Sequence, residues 1–252
     1  MAAMQAGDYA GAYEALQRTP EAATTNGAAM SAILLALVER FDDAGRHAQV
    51  AKLVAIDIIV EGERQRTARW RDPGSGGGLM TASAIAAGQH YAALATAFVH
   101  RDAELADHEL AMLAQAGQPV AGTLTFVDGK TRPFKDLADA DDAIGRMLEG
   151  YGDGGLVYFP FAGVRRIALR PPEHIFDHLM PRAEITDAHG TLSVYVPLLY
   201  ACSATAEAPE VRTGRTTMFS YLGDARRGSG QRDFQADGAL IGQQSIAAIE
   251  FT

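Results

Sequence analysis

Near Gly117 the spacing of apolar residues along this 252-residue chain changes from helical to alternating. No single element can serve both patterns, because side chains share a face about every 3.6 residues in a helix and every two in a strand. Upstream, Ala and Leu dominate, with Ala12, Leu16, then Leu34, Leu37, Val38 and Phe41 at helical spacing. Downstream, TLTFVDGKTRPF sets Leu124 and Phe126 on one face and follows them with Asp128-Gly129. That dipeptide suits a tight hairpin turn because it tolerates positive φ. The chain is therefore expected to be α+β. Residues 1–117 read as a helical-repeat (TPR-like) module, and residues 118–252 as a small, mostly antiparallel β-rich module with short helices.

The repeat expectation rests on GDYAGAYEAL from Gly7, GRHAQVAKL from Gly45 and GQHYAALATAF from Gly88. Each reads as a glycine at a helix–helix turn, then a ring, then small and apolar residues at helical spacing. Their separations, 38 residues from Gly7 to Gly45 and 43 from Gly45 to Gly88, exceed the ~34 of a tetratricopeptide repeat, so the units are degenerate. Stacking is favoured because amphipathic helix pairs need neighbours to cover their apolar faces. AAMSAILLALV, Ala28 to Val38, falls short of the roughly 20 apolar residues that cross a bilayer, and reads as a buried helix. RWRDPGSGGGLM reads as an exposed loop, since Pro73 and the glycine run break a helix.

In the second module KDLADADDAIGRMLEG is expected to be a helix carrying Leu137, Ile144, Met147 and Leu148. LVYF, VRRIAL, RAEIT, TLSVYVPLL and SIAAIEF read as strands. PEHIFDHLM reads as a short helix between Pro171 and Pro181.

The formal charge of −9 argues against wholesale nucleic-acid binding, since a duplex repels an acidic surface. A single cysteine, Cys202, permits no intrachain disulfide. MAAMQAGDYAGAYEAL has no basic start followed by an apolar run, so no signal peptide is expected. The expected location is cytoplasmic, away from the membrane.

Few residues point to catalysis. His174 and His178, four apart, would share a helix face beside Asp177 and could begin a metal-assisted hydrolase. A catalytic metal needs a third protein ligand, and surface or partly buried histidines are the plainer reading. DADDAIGR, Asp139 to Arg146, clusters carboxylates suited to acid–base work or a hard cation. At the start of the expected helix they would instead favour the macrodipole. GSGGG, Gly74 to Gly78, lacks the lysine of a P-loop and the preceding strand of a dinucleotide site. Cys202 in LLYACS reads as a small buried hydrophobe. The expectation is a non-enzyme with no catalytic residue, no cofactor and no metal.

GLVYFPFAGVRRIALRPP, Gly155 to Pro172, combines three aromatics, three arginines and three prolines. Pro160 donates no ladder hydrogen bond, so LVYF and VRRIAL read as two strand pieces around a bend at Pro160–Gly163. Strict alternation would put Arg165 with Ile167 and Leu169, and Arg166 with Val164 and Ala168. At least one guanidinium would then lie among apolar neighbours and need a carboxylate or carbonyl partner, with Asp139, Asp141 or Asp142 as the first candidates.

The order of motifs in this half resembles the ImpE/TagJ (SciE-type) accessory proteins of bacterial type VI secretion systems. The series runs through Asp139–Asp141, Tyr158–Phe161 with Arg166-Ile167, Ile175–Leu179, Tyr200–Ser203, Gly214–Thr217, Gly230–Arg232 and the final AIEF from Ala248 to Phe251. Family tryptophans stand here as Phe159, Met180 and Phe219, and a family Pro-Gly as Ala201-Cys202. The resemblance implies a non-enzymatic adaptor. It would bind the N-terminal helix of the small contractile-sheath subunit (TssB-like) and link the sheath to its AAA+ recycling ATPase (ClpV-like). Tyr158, Phe159, Phe161, Arg165, Arg166, Gln231 and Arg232 are the candidate partner contacts. The alternatives are a TPR-like adaptor unrelated to secretion, and the hydrolase built on His174, Asp177 and His178. Oligomeric state is not legible.

Overall fold

The computed structural model describes residues 2–72, 79–80 and 85–252. Among them, the first half is helical: α1 (Ala2–Gln5), α2 (Tyr9–Gln17), α3 (Thr25–Leu37), α4 (Phe41–Ala51), α5 (Val54–Arg71), α6 (Ile85–His100) and α7 (Ala103–Ala116), with a 3-10 turn at Pro20–Ala23. The two-residue strand β1 (Leu79–Met80) lies between α5 and α6. The expected buried helix is α3, where every residue from Gly27 to Leu37 is buried. Its N-terminus is capped by Thr24, whose hydroxyl accepts from the Gly27 N–H at 3.0 Å. Such a cap satisfies a backbone donor the helix itself leaves open.

The glycine expectation holds at one of its three positions. Gly7 sits between α1 and α2 with φ +69°. Gly45 lies inside α4 and Gly88 inside α6. The chain instead turns at Glu39, Lys52 and Arg101, which follow α3, α4 and α6 with φ of 64°, 53° and 57°. These are left-handed caps built without glycine. The expected GSGGG loop lies outside the described residues.

The second half forms β2 (Gly122–Phe126), β3 (Thr131–Phe134), β4 (Leu137–Asp139), β5 (Met147–Gly152), β6 (Gly155–Pro160), β7 (Val164–Leu169), β8 (Arg182–Asp187) and β9 (Thr191–Tyr195). The short helix α8 (Pro209–Arg212) follows, then β10 (Thr217–Leu222), β11 (Ala225–Gly230), β12 (Asp233–Ala236), β13 (Ala239–Gly242) and β14 (Ile246–Phe251). A nine-stranded sheet runs β1-β6-β5-β9-β8-β7-β14-β2-β3, antiparallel except where β1 joins β6. A three-stranded sheet, β13-β12-β4, and the ribbon β10-β11 complete the half. The expected hairpin at Asp128-Gly129 joins β2 to β3, with Gly129 at φ +82°.

The large sheet is covered on both faces, which is why β5 is buried along its whole length. Alternation divides the side chains. Leu156 and Tyr158 of β6 join the core under the helices, together with Met147 and Tyr151 of β5. Phe159 and Leu148 point the other way, into a core shared with Leu137, Phe234 and Ile241 of the small sheet. Gly62 of α5 lets the helix approach closely, since a Cβ there would fall 2.4 Å from the Tyr151 ring.

Two strand-half expectations are corrected. KDLADADDAIGRMLEG is not a helix: it supplies β4, a turn and the start of β5. The Asp139 carboxylate accepts from the Asp141 N–H at 2.8 Å, and Asp141 from the Ala143 N–H at 2.9 Å. Each aspartate thus folds the backbone two residues on, in competition with helix. The arginine faces also differ. An irregularity between Val164 and Arg166 in the pairing of β7 with β8 breaks the alternation. Val164 and Ile167 are buried, and both arginines between them are exposed.

Candidate functional site

The helical half is clamped to the sheet by a buried ionic centre. Its helix side comes from α5, where Glu63, Arg66 and Arg69 are all buried. The Arg66 guanidinium, 1% exposed, donates from Nε to Glu149 of β5 at 2.7 Å and from Nη2 to the Leu199 carbonyl at 2.7 Å. Its Nη1 lies 3.5 Å from Glu63. Glu149 also accepts from Tyr158 Oη at 3.0 Å and from Arg232 Nη2 at 3.0 Å. Tyr151 Oη donates to Glu63. Arg69 lies over the Tyr158 ring, 4.6 Å from its centre.

The network continues to the aspartate turn. Arg232 Nε stands 2.8 Å from Asp139 Oδ2, an ion pair without hydrogen-bond alignment. Asp139 Oδ1 accepts from Tyr200 Oη at 2.9 Å, and Asp141 from the Gly228 N–H at 3.1 Å. Burial pushes Asp139 up to about 6 against the pull of Arg232. Burial and the neighbouring Asp139 carry Asp141 up to about 7. Burial also raises Glu149, yet Arg66, Arg232 and Arg69 outweigh it and hold the carboxyl below its ordinary value. A void of about 10 Å³ beside Glu63, Arg66 and Tyr200 leaves room for about one water.

Sequence reasoning missed the α5 contribution, although a signal existed. Ile56 and Ile59 start a helical stripe whose continuation is Glu63, Arg66 and Trp70. Charges that continue an apolar stripe mark buried, paired groups. The expected partners of Asp139, Asp141 and Asp142 were also misassigned. They face Arg232 and the β11 backbone, where the Arg226 N–H donates to Asp142 at 2.6 Å. Arg166 instead lies 3.4 Å from Glu250 at the surface.

The candidate contact residues divide by burial. Tyr158, Phe159, Phe161 and Arg232 are 1%, 6%, 0% and 0% exposed, and their side chains are spent inside the chain. Arg165 and Arg166 are exposed, and Gln231 is half-buried. Of the hydrolase candidates, Asp177 Oδ2 accepts the backbone N–H groups of Glu173 and His174, at 2.8 Å each. The expected helix is a single 3-10 turn, Ile175–His178, with His174 as its N-cap, so the two histidines do not share an α-helical face. Among the described residues no group of three or more His, Cys, Asp or Glu side chains gathers to hold a metal. Cys202 is half-buried and burial pushes its thiol up, away from the thiolate that reacts.

A groove of about 970 Å³ lies between α1–α3 and the segment 173–176. Leu16, Met30, Leu34 and Phe176 line its apolar surface, with Glu21 and Glu173 among its polar residues. Phe176 comes from the second half of the chain, so the groove has walls from both halves. Among the described residues no helix is long and apolar enough to cross a membrane.

Residues 131–250 match the model of the ImpE protein family, the family to which the ordered motifs pointed. Over 120 residues the chain is 30% identical to the type VI secretion system accessory component TagJ of Pseudomonas aeruginosa. The match covers 47% of this chain and 42% of that protein, so less than half of the relative's length is spanned. The fold as a whole is like that of protein VPA1032 from Vibrio parahaemolyticus, known from an X-ray crystal structure. The TM-score is 0.83 at 14% identity, covering 99% of this chain and 96% of that one.

Proposed function

We propose that this chain is a non-enzymatic accessory protein of a bacterial type VI secretion system, acting in the cytoplasm. It holds the N-terminal helix of the small sheath subunit in the groove between α1–α3 and Phe176, and links the sheath to its AAA+ recycling ATPase. The observation that carries this reading is a largely apolar groove on a chain whose C-terminal region matches the ImpE family. An amphipathic helix laid in such a groove anchors through residues spaced three and four apart. Residues 1–117 act in this reading as a TPR-like module supplying most of the groove, and residues 118–252 as the module that braces it. Glu21 and Glu173 favour a helix with basic residues on its flanks. The exposed Arg165 and Arg166 offer a second contact, with the ATPase as its partner.

The test is fluorescence anisotropy with a labelled peptide of the cognate sheath subunit's first helix. Ala15 is exposed and lines the groove. Ala15→Arg should weaken binding by at least about tenfold, roughly 1.4 kcal/mol, with an unchanged melting temperature. No binding by the wild type at high micromolar peptide, or equal binding by the variant, overturns the reading.

A further inference from the structure

A second cleft, of about 470 Å³, lies on the sheet module between residues 169–181 and 243–247. Its size falls within the ~300–1,000 Å³ of small-ligand sites. Leu169, Pro171, Pro172, Leu198 and Ile246 give it apolar walls. Gln243, 1% exposed, is also part of the lining. Its backbone is engaged, the N–H donating to the Arg232 carbonyl at 2.9 Å. Its side-chain Nε2 and Oε1 are both screened from solvent and without a hydrogen-bond partner. Asp177 lines the same cleft and is 3% exposed, with Oδ1 in the same state.

An unpaired buried polar atom is destabilising, and a buried primary amide left open at both ends more so than a single such loss. Natural structures keep such groups where something pairs with them. The terminal torsion of glutamine is soft, so the amide can turn toward the cleft. A carboxamide offers one donor and one acceptor side by side, and its complement is another amide. We propose that this cleft binds an extended peptide segment, whose backbone N–H and C=O pair with the Gln243 amide while apolar side chains lie on Leu169, Pro171 and Ile246. Asp177, which lines the same cleft, keeps its Oδ1 4.0 Å from Arg182 Nε. The site is separate from the helix groove, and its occupant is a strand-like or irregular segment rather than a helix, whose own N–H and C=O groups are already paired.

The probe is the capped tripeptide acetyl-Leu-Ala-Leu-amide, titrated into the ¹⁵N-labelled full chain and followed by NMR. The Gln243 side-chain NH₂ resonances and the backbone amides of 243–247 should shift together. Gln243→Met keeps the length and removes the amide, and should weaken binding at least about tenfold. The same variant should melt at a higher temperature than the wild type, because an orphaned amide has been replaced by an apolar side chain. Three results each overturn the proposal: no shifts up to about 10 mM peptide, equal binding by the methionine variant, or a lower melting temperature for that variant. The last would show that the amide is already satisfied, as by a buried water. Failure here leaves the sheath-helix reading untouched, because that peptide binds a different surface.

Discussion

Arg66→Met tests the claim that the two halves are held together electrostatically. Methionine keeps an unbranched apolar stem along the helix, so the packing loss is small. The guanidinium is lost entirely. Glu149 then keeps its hydrogen bonds from Arg232 and Tyr158 and the field of Arg69, the Leu199 carbonyl loses its 2.7 Å donor, and Glu63 keeps Tyr151. Removing one partner of a buried pair leaves an uncompensated charge and typically costs ~3–5 kcal/mol. With urea m-values of ~1–3 kcal/mol per M, the unfolding midpoint should fall by more than about 1 M. The sign with pH follows from Glu149, whose carboxyl is held low in the folded chain. Its stabilisation is present above its unfolded value and is lost as pH falls through the folded one. The deficit of Arg66→Met should therefore be largest at neutral pH and shrink in acid. Glu149→Gln in the same chain removes the stranded charge, so the double variant should be more stable than the sum of the single losses by at least about 0.5 kcal/mol. A single-variant cost under about 1 kcal/mol, or simple additivity, would refute a clamp centred on this pair.

The aspartate turn predicts the opposite pH trend. Asp139 and Asp141 are raised to about 6 and about 7 by burial, so the folded chain binds protons that the unfolded chain releases. Their contribution is complete below about pH 4 and is lost as pH rises through 6 to 7. Thermal melts should show higher stability at pH 5.5 than at pH 8, with Asp141→Asn flattening that slope; a slope unchanged in the variant would contradict it. Two glycines on neighbouring helices should behave oppositely in urea denaturation. Gly62→Ala drives a methyl into the Tyr151 ring and should cost about 1–3 kcal/mol. Gly45→Ala meets nothing within 4 Å and should add about 0.5–1 kcal/mol.

The change of period at Gly117 was legible because it is carried by local spacing, as in Ala12 and Leu16 upstream and Leu124 and Phe126 downstream. Pro160 marked its bend for the same local reason, and the Asp128-Gly129 turn carries its conformation in its own two residues. What stayed hidden depends on partners distant in sequence. Glu39, Lys52 and Arg101 take a left-handed conformation that their identities do not announce, so the helix ends were sought at glycines lying within helices. The Asp139–Asp141 turn has helical composition, and it departs from helix because Arg232, Tyr200 and the β11 backbone await its carboxylates. The irregularity in β7 is set by pairing with β8, and it alone moves both arginines outward. Strand β11 is interrupted by Gly228 and Gly230, and β12 and β13 are four residues each, too short to carry a clear period. The contact residues inferred from the family resemblance illustrate the same limit. Tyr158 and Arg232 stand out in sequence because they are functional to the fold, as members of the ionic centre.

That centre bears on the groove as well. One groove wall is α1–α3 and the other includes Phe176 beyond β7, so its width depends on how the halves are joined. Helix α3 packs on α5, and α5 is fastened to β5 through Arg66 and Glu149. A second set of ties runs from the C-terminal half to the chain's start: Tyr9 Oη donates to the Arg212 carbonyl at 2.7 Å, and Arg212 Nε to the Gly7 carbonyl at 3.0 Å. Both walls are thus fixed to the same sheet before any ligand arrives, which lowers the ordering cost of binding. Buried ion pairs contribute little net stability compared with apolar packing, but they penalise any arrangement that separates the partners. On this reasoning they would favour one relative placement of helices and sheet, and with it one groove shape. A substitution at Arg66 should accordingly weaken peptide binding in molecules that remain folded, although Arg66 touches no part of the groove.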